Sequence, residues 1–305
     1  MRNGLVKTLY YSSLWCKMLL VIVLIMVYLF WNTTRNQREG FSQREKFVSK
    51  KGAEIYDSFY TNIYDELLFD KAKNEYEIGK IIQETVPTQE SLILDVGSGT
   101  GDHVASFTEK DFKAVGLDSS PDMVARAREK YPELEFTVGN AMNAMIYPAH
   151  TFTHITCLYF TIYYIKDKYQ FFKNCYEWLV PGGHLVIHLV NRNKFDPILN
   201  VADPLNFVSA QKYAKERITT SVVDFYDFKY KAKFILDKPN NTAVFDETFT
   251  DDKKKVRKHE HKLYMPSSKS VLTNAKDAGF IEHAKISLDP VQYEHQYLYI
   301  LYKPN

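Results

Sequence analysis

Leu92 to Val104 reads LILDVGSGTGDHV. A short apolar run ends in Asp95, glycines follow at 97, 99 and 101, and a helical pattern begins near Asp102. Glycines at alternate positions let a turn tighten and let a ligand come against the backbone, beside the positive end of the next helix. The stretch therefore predicts a strand, loop and helix that hold a ligand. A dinucleotide-binding loop is built alike, but its third glycine falls one residue later, where this chain has Asp102. Nicotinamide-dependent oxidoreduction loses on that spacing.

Outward from this loop, short apolar runs alternate with helical stretches. Leu92 to Val96, Ala114 to Leu117, Glu135 to Val138, Thr153 to Tyr159 and His184 to Val190 read as strands. Helices are expected between them near 102–110, 121–131 and 168–178, and Ser120-Pro121 has the form of a cap followed by proline in the first helical turn. This alternation predicts an α/β fold with a mostly parallel sheet. Leu179 to Gly183 reads as a turn into the fifth strand. From Asn191 to Pro266 the alternation stops, and runs such as Val222 to Ile235 and Thr242 to Phe249 predict an antiparallel insertion. A helix over 267–278 and strands at 281–286 and 296–302 close the chain. Before the loop, Ala53 to Glu84 carries helical spacing.

Leu14 to Trp31 is apolar apart from Lys17, and eighteen residues of helix reach about 27 Å at ~1.5 Å each, nearly a bilayer core. Trp15 and Trp31 sit at its two ends, and no small-residue cleavage site follows. The reading is an N-terminal tail over 1–13, a retained transmembrane helix over 14–31, a linker over 32–52 and one domain over 53–305. More basic residues follow the span than precede it, which places the domain on the cytosolic side of a membrane. The sequons at Asn32 and Asn240 would be used only in a lumen.

A formal charge of +2 gives no field for nucleic acid, and the run from Lys253 to Lys258 reads as a solvated loop. Cys16, Cys157 and Cys175 have no metal-ligand spacing, so no metal is expected and a reducing compartment fits.

LILDVGSGTGDHV resembles the first motif of the class I S-adenosylmethionine-dependent methyltransferases, and the order of elements is similar from Tyr56 to the C-terminus. The resemblance implies a seven-stranded Rossmann-like sheet and S-adenosylmethionine as cofactor. It implies that Gly97, Ser98, Gly99 and Gly101 pass the amino acid part, with Asp95 orienting it. Asp118, seventeen residues after Gly101, with Ser119, looks like the group that holds the ribose hydroxyls; a carboxylate can accept both hydrogen bonds. Met123 looks like the residue packed on adenine, and Asn140-Ala141 like the pair beside its amino group, with Asn where many members carry Asp.

Cys157 to Tyr164 lies where the family places the acceptor, and it lacks the Asn/Asp-Pro-Pro-aromatic signature of nucleobase amino methylation. Tyr56-Asp57-Ser58-Phe59-Tyr60 and the insertion resemble the small-molecule N-methyltransferases that act on amino sugars and glycine. That resemblance implies an acceptor pocket lined by Tyr56, Tyr60, Tyr159, Tyr163 and Tyr164, with catalytic contributions from Tyr56, Tyr164 and His188, the last a candidate base near the end of the fifth strand. The partners expected are a small-molecule or lipid acceptor and a membrane, with no nucleic acid. A quinone or lipid acceptor, or a cofactor-binding scaffold without catalysis, are the competing readings.

Overall fold

The computed structural model describes residues 13–36, 45–197, 215–225 and 228–305; most of the expected N-terminal tail lies outside them. Two compact units divide the chain at Gly40 and Phe41. The first contains α1 (Leu14–Asn36), whose apolar side chains from Leu14 to Tyr28 are exposed on all sides. The helix runs five residues past the expected span, taking the first part of the expected linker with it. Among the described residues no helix is long and apolar enough to cross a membrane.

The second unit begins with β1 (Phe47–Lys51), inside what reads as a linker. Five residues with one exposed Phe carry too little pattern to be seen, and their strand character comes from pairing with a distant segment. The helical spacing after Ala53 is broken into a 3-10 turn, α2 (Ser58–Leu68) and α3 (Lys71–Thr85). Two aspartates explain the breaks: Asp57 caps α2 through the Tyr60 N–H, and Asp70 caps α3 through the Lys73 N–H.

Then come β2 (Leu92–Val96), α4 (Asp102–Thr108), β3 (Lys113–Asp118), α5 (Pro121–Lys130), β4 (Glu135–Val138), β5 (Phe152–Cys157), the single turn α6 (Thr161–Tyr164), α7 (Lys168–Trp178) and β6 (Leu179–Val190). Ser120 caps α5 through the Met123 N–H, with proline next, as the sequence reads. β6 starts earlier than expected. Gly182 and Gly183 are taken into the sheet because the Gly182 N–H donates to the Lys303 carbonyl and the Lys303 N–H to that of Gly183. β7 (Thr220–Asp224), β8 (Phe228–Asp237), β9 (Thr242–Asp251) and β10 (Val256–Tyr264) follow, then α8 (Ser268–Asp277), β11 (Ile281–Ser287) and β12 (Gln296–Tyr302).

Seven strands form one sheet in the order β11-β12-β6-β5-β2-β3-β4, parallel except where β12 runs against β6 and β11. The order reverses beside β2, so the ends of β2 and β5 open a crevice, the usual place for a ligand in such sheets. The second sheet has the order β1-β10-β9-β8-β7, antiparallel apart from β1, which runs parallel to β10. The inner face of this sheet and α2 share an aromatic core with Phe59, Tyr60, Tyr230 and Phe249, which also reaches Met123 on α5. The insertion is thereby laid over the crevice of the first sheet.

Two of the loop glycines are required for different reasons. Gly97 has φ +74°, and a Cβ there would run into the Thr161 side chain at the start of α6. Gly101 has φ +91° and faces the rings of Phe136 and Tyr131, so it serves packing rather than ligand approach. Gly97→Ala is expected to cost about 1–3 kcal/mol of stability through the strained backbone alone. It should also displace α6. Adding Thr161→Ala should recover part of the loss, read by chemical denaturation.

Candidate functional site

A cavity of about 680 Å³ runs from the end of β2 to the inner face of the second sheet. One end is made by Gly97, Gly99, Asp118, Ser119, Met123, Asn140 and Ala141. The carboxylate of Asp118 is fixed by backbone donors: Gly99 N–H to Oδ2 at 3.0 Å and Ser120 N–H to Oδ1 at 2.8 Å. Burial, the largest influence, raises its pKa above the ordinary carboxylate value, against the lowering effect of those bonds. Met123 is buried against α2, and Asn140 accepts the Met142 N–H through Oδ1 at 2.9 Å. A pre-oriented carboxylate, an apolar wall and open backbone at two glycines fit a nucleoside such as adenosine.

A smaller cleft next to it is lined by Ser98, Gly99, Lys73, Glu77 and His103. Lys73 Nζ donates to Glu77 Oε2 at 2.7 Å, with both side chains buried. Burial pushes the Glu77 carboxyl up, but Lys73 and His103 override it and hold it down at about 2. His103 Nδ1 lies 3.7 Å from Asp95 Oδ2, and Thr156 Oγ1 donates to Asp95 Oδ1 at 2.7 Å. Asp95 therefore acts from beneath the glycine loop and lines neither opening. The orienting role expected of Asp95 is one it could exert only from behind the loop, where Thr156 and His103 are its neighbours.

The other end of the cavity is aromatic, with Tyr56, Tyr60, Tyr64, Tyr159 and Tyr164 on its wall, together with Phe195, Phe234 and Phe245. Two expected residues are absent from it. Tyr163 turns into the core, where its hydroxyl accepts the Val190 N–H at 2.8 Å. His188 is fully buried on β6 and lies behind the wall; its Nδ1 donates to the Tyr159 carbonyl at 2.7 Å. Burial, then Lys73, lowers the His188 pKa to about 4, so the ring is neutral near pH 7. Its place is to hold Tyr159, which has a left-handed φ of +51°, and it is not a base facing an acceptor.

A group that sequence reasoning missed is joined to Tyr164 and includes a second cavity-lining residue, His261. The Tyr164 hydroxyl lies 2.8 Å from His261 Nδ1, and His261 Nε2 lies 2.7 Å from Glu247 Oε2. Tyr230 donates to Glu247 Oε1 at 2.7 Å. Arg257 Nε donates to His259 Nε2 at 2.7 Å, and its guanidinium also binds Asp57. Arg257 is thus buried in a paired network, not solvated as the basic run reads. The alternation of Arg257, His259 and His261 in the sequence was the available signal, since period two puts all three on one face of a strand. Glu247 joins them only through the register, which sets it opposite His259.

Among the described residues, Glu247, His259 and His261 bring three possible ligand atoms within 4.8 Å of one another. Because Arg257 can only donate, His259 Nε2 must accept, so the neutral ring carries its proton on Nδ1, 3.6 Å from Glu247.

A family profile described as a methyltransferase domain matches residues 93–183. The dTDP-4-amino-2,3,4,6-tetradeoxy-D-glucose N,N-dimethyltransferase of Saccharopolyspora spinosa is 31% identical over 152 residues, 49% of this chain and 58% of that protein. The demethylmenaquinone methyltransferase of Chlorobaculum tepidum is 37% identical over 108 residues, 34% of this chain and 44% of that protein. The chain thus spans about half the length of the curated relatives it matches. Among solved structures, the sugar N-methyltransferase of a Streptoalloteichus species superposes with a TM-score of 0.59 at 20% identity, covering 88% of this chain and 100% of its own. An S-adenosylmethionine-dependent methyltransferase of Clostridium acetobutylicum gives 0.63 at 17%, covering 81% and 98%. Residues 93–183 thus match a methyltransferase domain profile, and the chain has the fold of the S-adenosylmethionine-dependent methyltransferases it superposes on.

Proposed function

We propose that this protein transfers a methyl group from S-adenosylmethionine to a nitrogen or oxygen atom of a small molecule. The observation that carries this reading is the single cavity with a nucleoside-fitting end at Asp118 and an aromatic end at Tyr164. When bound, the cofactor supplies an activated methyl on a sulfonium, whose displacement needs the acceptor atom held in line. Asp118 and Met123 would fix the adenosine, and the glycine loop would take the amino acid part. The tyrosine wall would orient the acceptor and keep water away from it.

An amine on a small polar molecule is the favoured acceptor, since the Saccharopolyspora relative and the Streptoalloteichus structure both carry N-methyltransferase names. An aromatic lining of this kind suits a cationic amine. A quinone or other lipid acceptor is a second reading, favoured by the Chlorobaculum relative and by the apolar surface of α1. On that reading α1 anchors the protein to a membrane with residues 41–305 on the cytosolic side, and tethering raises the effective concentration of acceptor.

Incubation of the full chain with methyl-labelled donor and two probe sets, amino-sugar nucleotides and hydroquinones, is expected to label the first set. Label in the second set alone would favour the lipid reading. Donor binding by calorimetry without label in either set or in cell extract would leave a cofactor-binding scaffold. Carbonate-resistant pelleting with membranes, and no glycosidase-sensitive mass shift at Asn240, are expected if α1 anchors a cytosolic domain.

A further inference from the structure

We propose that Tyr164, His261 and Glu247 form a proton relay that takes the proton from the methyl acceptor, with the base supplied by the antiparallel insertion. The proposal rests on the methyltransferase reading above and adds the route of the proton.

The direction of the relay follows from its ends. Glu247 is buried, yet its carboxyl is held below the ordinary range: burial raises it, and His259 and His261 together outweigh that effect. An ionised carboxylate can only accept, so the Nε2 that faces it at 2.7 Å carries a proton. In the neutral ring Nδ1 is then bare, and it is the atom 2.8 Å from the Tyr164 hydroxyl. Tyr164 must donate to it. Tyr230 donates to the other carboxylate oxygen and fixes the plane of Glu247. A hydroxyl, an imidazole and a buried carboxylate in this order have the logic of a nucleophile, base and orienting acid, with the tyrosine here passing a proton instead of attacking.

Tyr164 is the relay member most exposed to the cavity. It lines the cavity and is 37% exposed; His261 also lines it but is almost wholly buried, and Glu247 is closed behind them. The Tyr164 ring lies 6.1 Å from that of Tyr56. The acceptor's N–H or O–H proton would pass to Tyr164 Oη while the tyrosine's own proton passes to His261 Nδ1. The imidazolium so formed is balanced by Glu247. The electron pair left on the acceptor forms the new bond to the methyl carbon, and the pair of the breaking carbon–sulfur bond stays on sulfur. Such a relay is useful for an acceptor that arrives protonated, an ammonium or a hydroxyl.

Other groups facing His261 set its charge balance. Tyr56 and Tyr60 approach from the α2 side, with ring centroids 6.1 and 5.9 Å away, and His259 lies at 6.3 Å on its own strand. Phe245 covers it from β9, and Arg257 stands beyond His259 with Asp57 as its counter-ion. Glu247 is thus the carboxylate that touches His261, which makes the two act as a pair.

The test uses the full chain labelled with ¹⁵N-histidine. Long-range ¹⁵N–¹H spectra near neutral pH are expected to show His261 protonated on Nε2 and bare on Nδ1, with the Nδ1 signal moved in Tyr164→Phe. A neutral ring protonated on Nδ1 overturns the relay. In parallel, methyl transfer to an amino-sugar nucleotide probe should fall roughly 10²- to 10⁴-fold in Tyr164→Phe and Glu247→Gln. The acid limb of the wild-type rate profile should disappear in both variants. Affinity for S-adenosylhomocysteine by calorimetry should stay within about twofold. Variants that keep the wild-type rate and pH profile overturn the relay, whereas a wild-type chain that binds no donor overturns the methyltransferase reading. The surface position of Tyr164 keeps one variant folded, and the spectra decide the matter without any acceptor.

Discussion

Lys73→Ala should destabilise residues 41–305 by about 3–5 kcal/mol, because it leaves the Glu77 carboxylate in the interior without its nearest cation and with only His103 beside it. At ~2–4 °C per kcal/mol for a domain of this size, the melting temperature should drop by about 6–20 °C. Lys73→Met with Glu77→Leu should recover most of the loss, since two apolar side chains remove the charge and keep the volume. The same pair governs acid stability. Glu77 is held at about 2 in the folded chain against an ordinary 4.5, so its contribution is full above the ordinary value and fades as pH falls towards 2. Denaturant midpoints for wild type should decline over that window, and the doubly apolar variant should decline less. An unchanged midpoint in Lys73→Ala would mean that Glu77 finds another counter-ion.

Asp118→Ala should weaken S-adenosylhomocysteine binding by roughly 30- to 700-fold, equivalent to about 2–4 kcal/mol for two hydroxyl bonds to a charged acceptor. The carboxylate is already aimed by Gly99 and Ser120, so the ligand meets an oriented group and no rotamer has to be fixed on binding. Asp118→Asn should lose less, as an amide oxygen can still accept one bond. Because burial raises the pKa of Asp118, affinity should begin to fall at a higher pH than an ordinary carboxylate would allow. Titration calorimetry at several pH values should show this slope in wild type and none in Asp118→Asn. Equal affinity for Asp118→Ala would mean that the ribose lies elsewhere.

The loop at Leu92 to Val104 made the parallel sheet and the nucleoside end legible, because local rules act there: an apolar run, then glycines, then a capped helix. Asp118, Met123 and Asn140 line the cavity, since Asp118 ends β3, Met123 stands in the first turn of α5 and Asn140 follows β4. His188 and Tyr163 were misread because both sit close to the right strand ends but face away from the cavity. Side-chain direction at a strand end depends on register and on the twist of the sheet, which a sequence does not state. The relay was illegible for a stronger reason. Glu247 and His261 are brought together by the pairing of β9 and β10, and Tyr164 meets them across a gap of 97 residues. Only the period-two pattern from Arg257 to His261 was written locally, and the lysines around it concealed it.

The place of β1 bears on how the protein is made. Its partner among the described strands is β10, and Lys51 meets Glu260 across 209 residues of chain. At ~5–20 residues per second of synthesis, the first strand of the domain waits roughly ten to forty seconds for its neighbour to leave the ribosome. Until then its backbone groups are unpaired, and the loop to be closed is among the longest the chain allows. The sheet that holds the relay can therefore complete itself only late in synthesis, and a nascent chain arrested before Val256 would expose Phe47–Lys51 as an edge open to chaperones or to other strands.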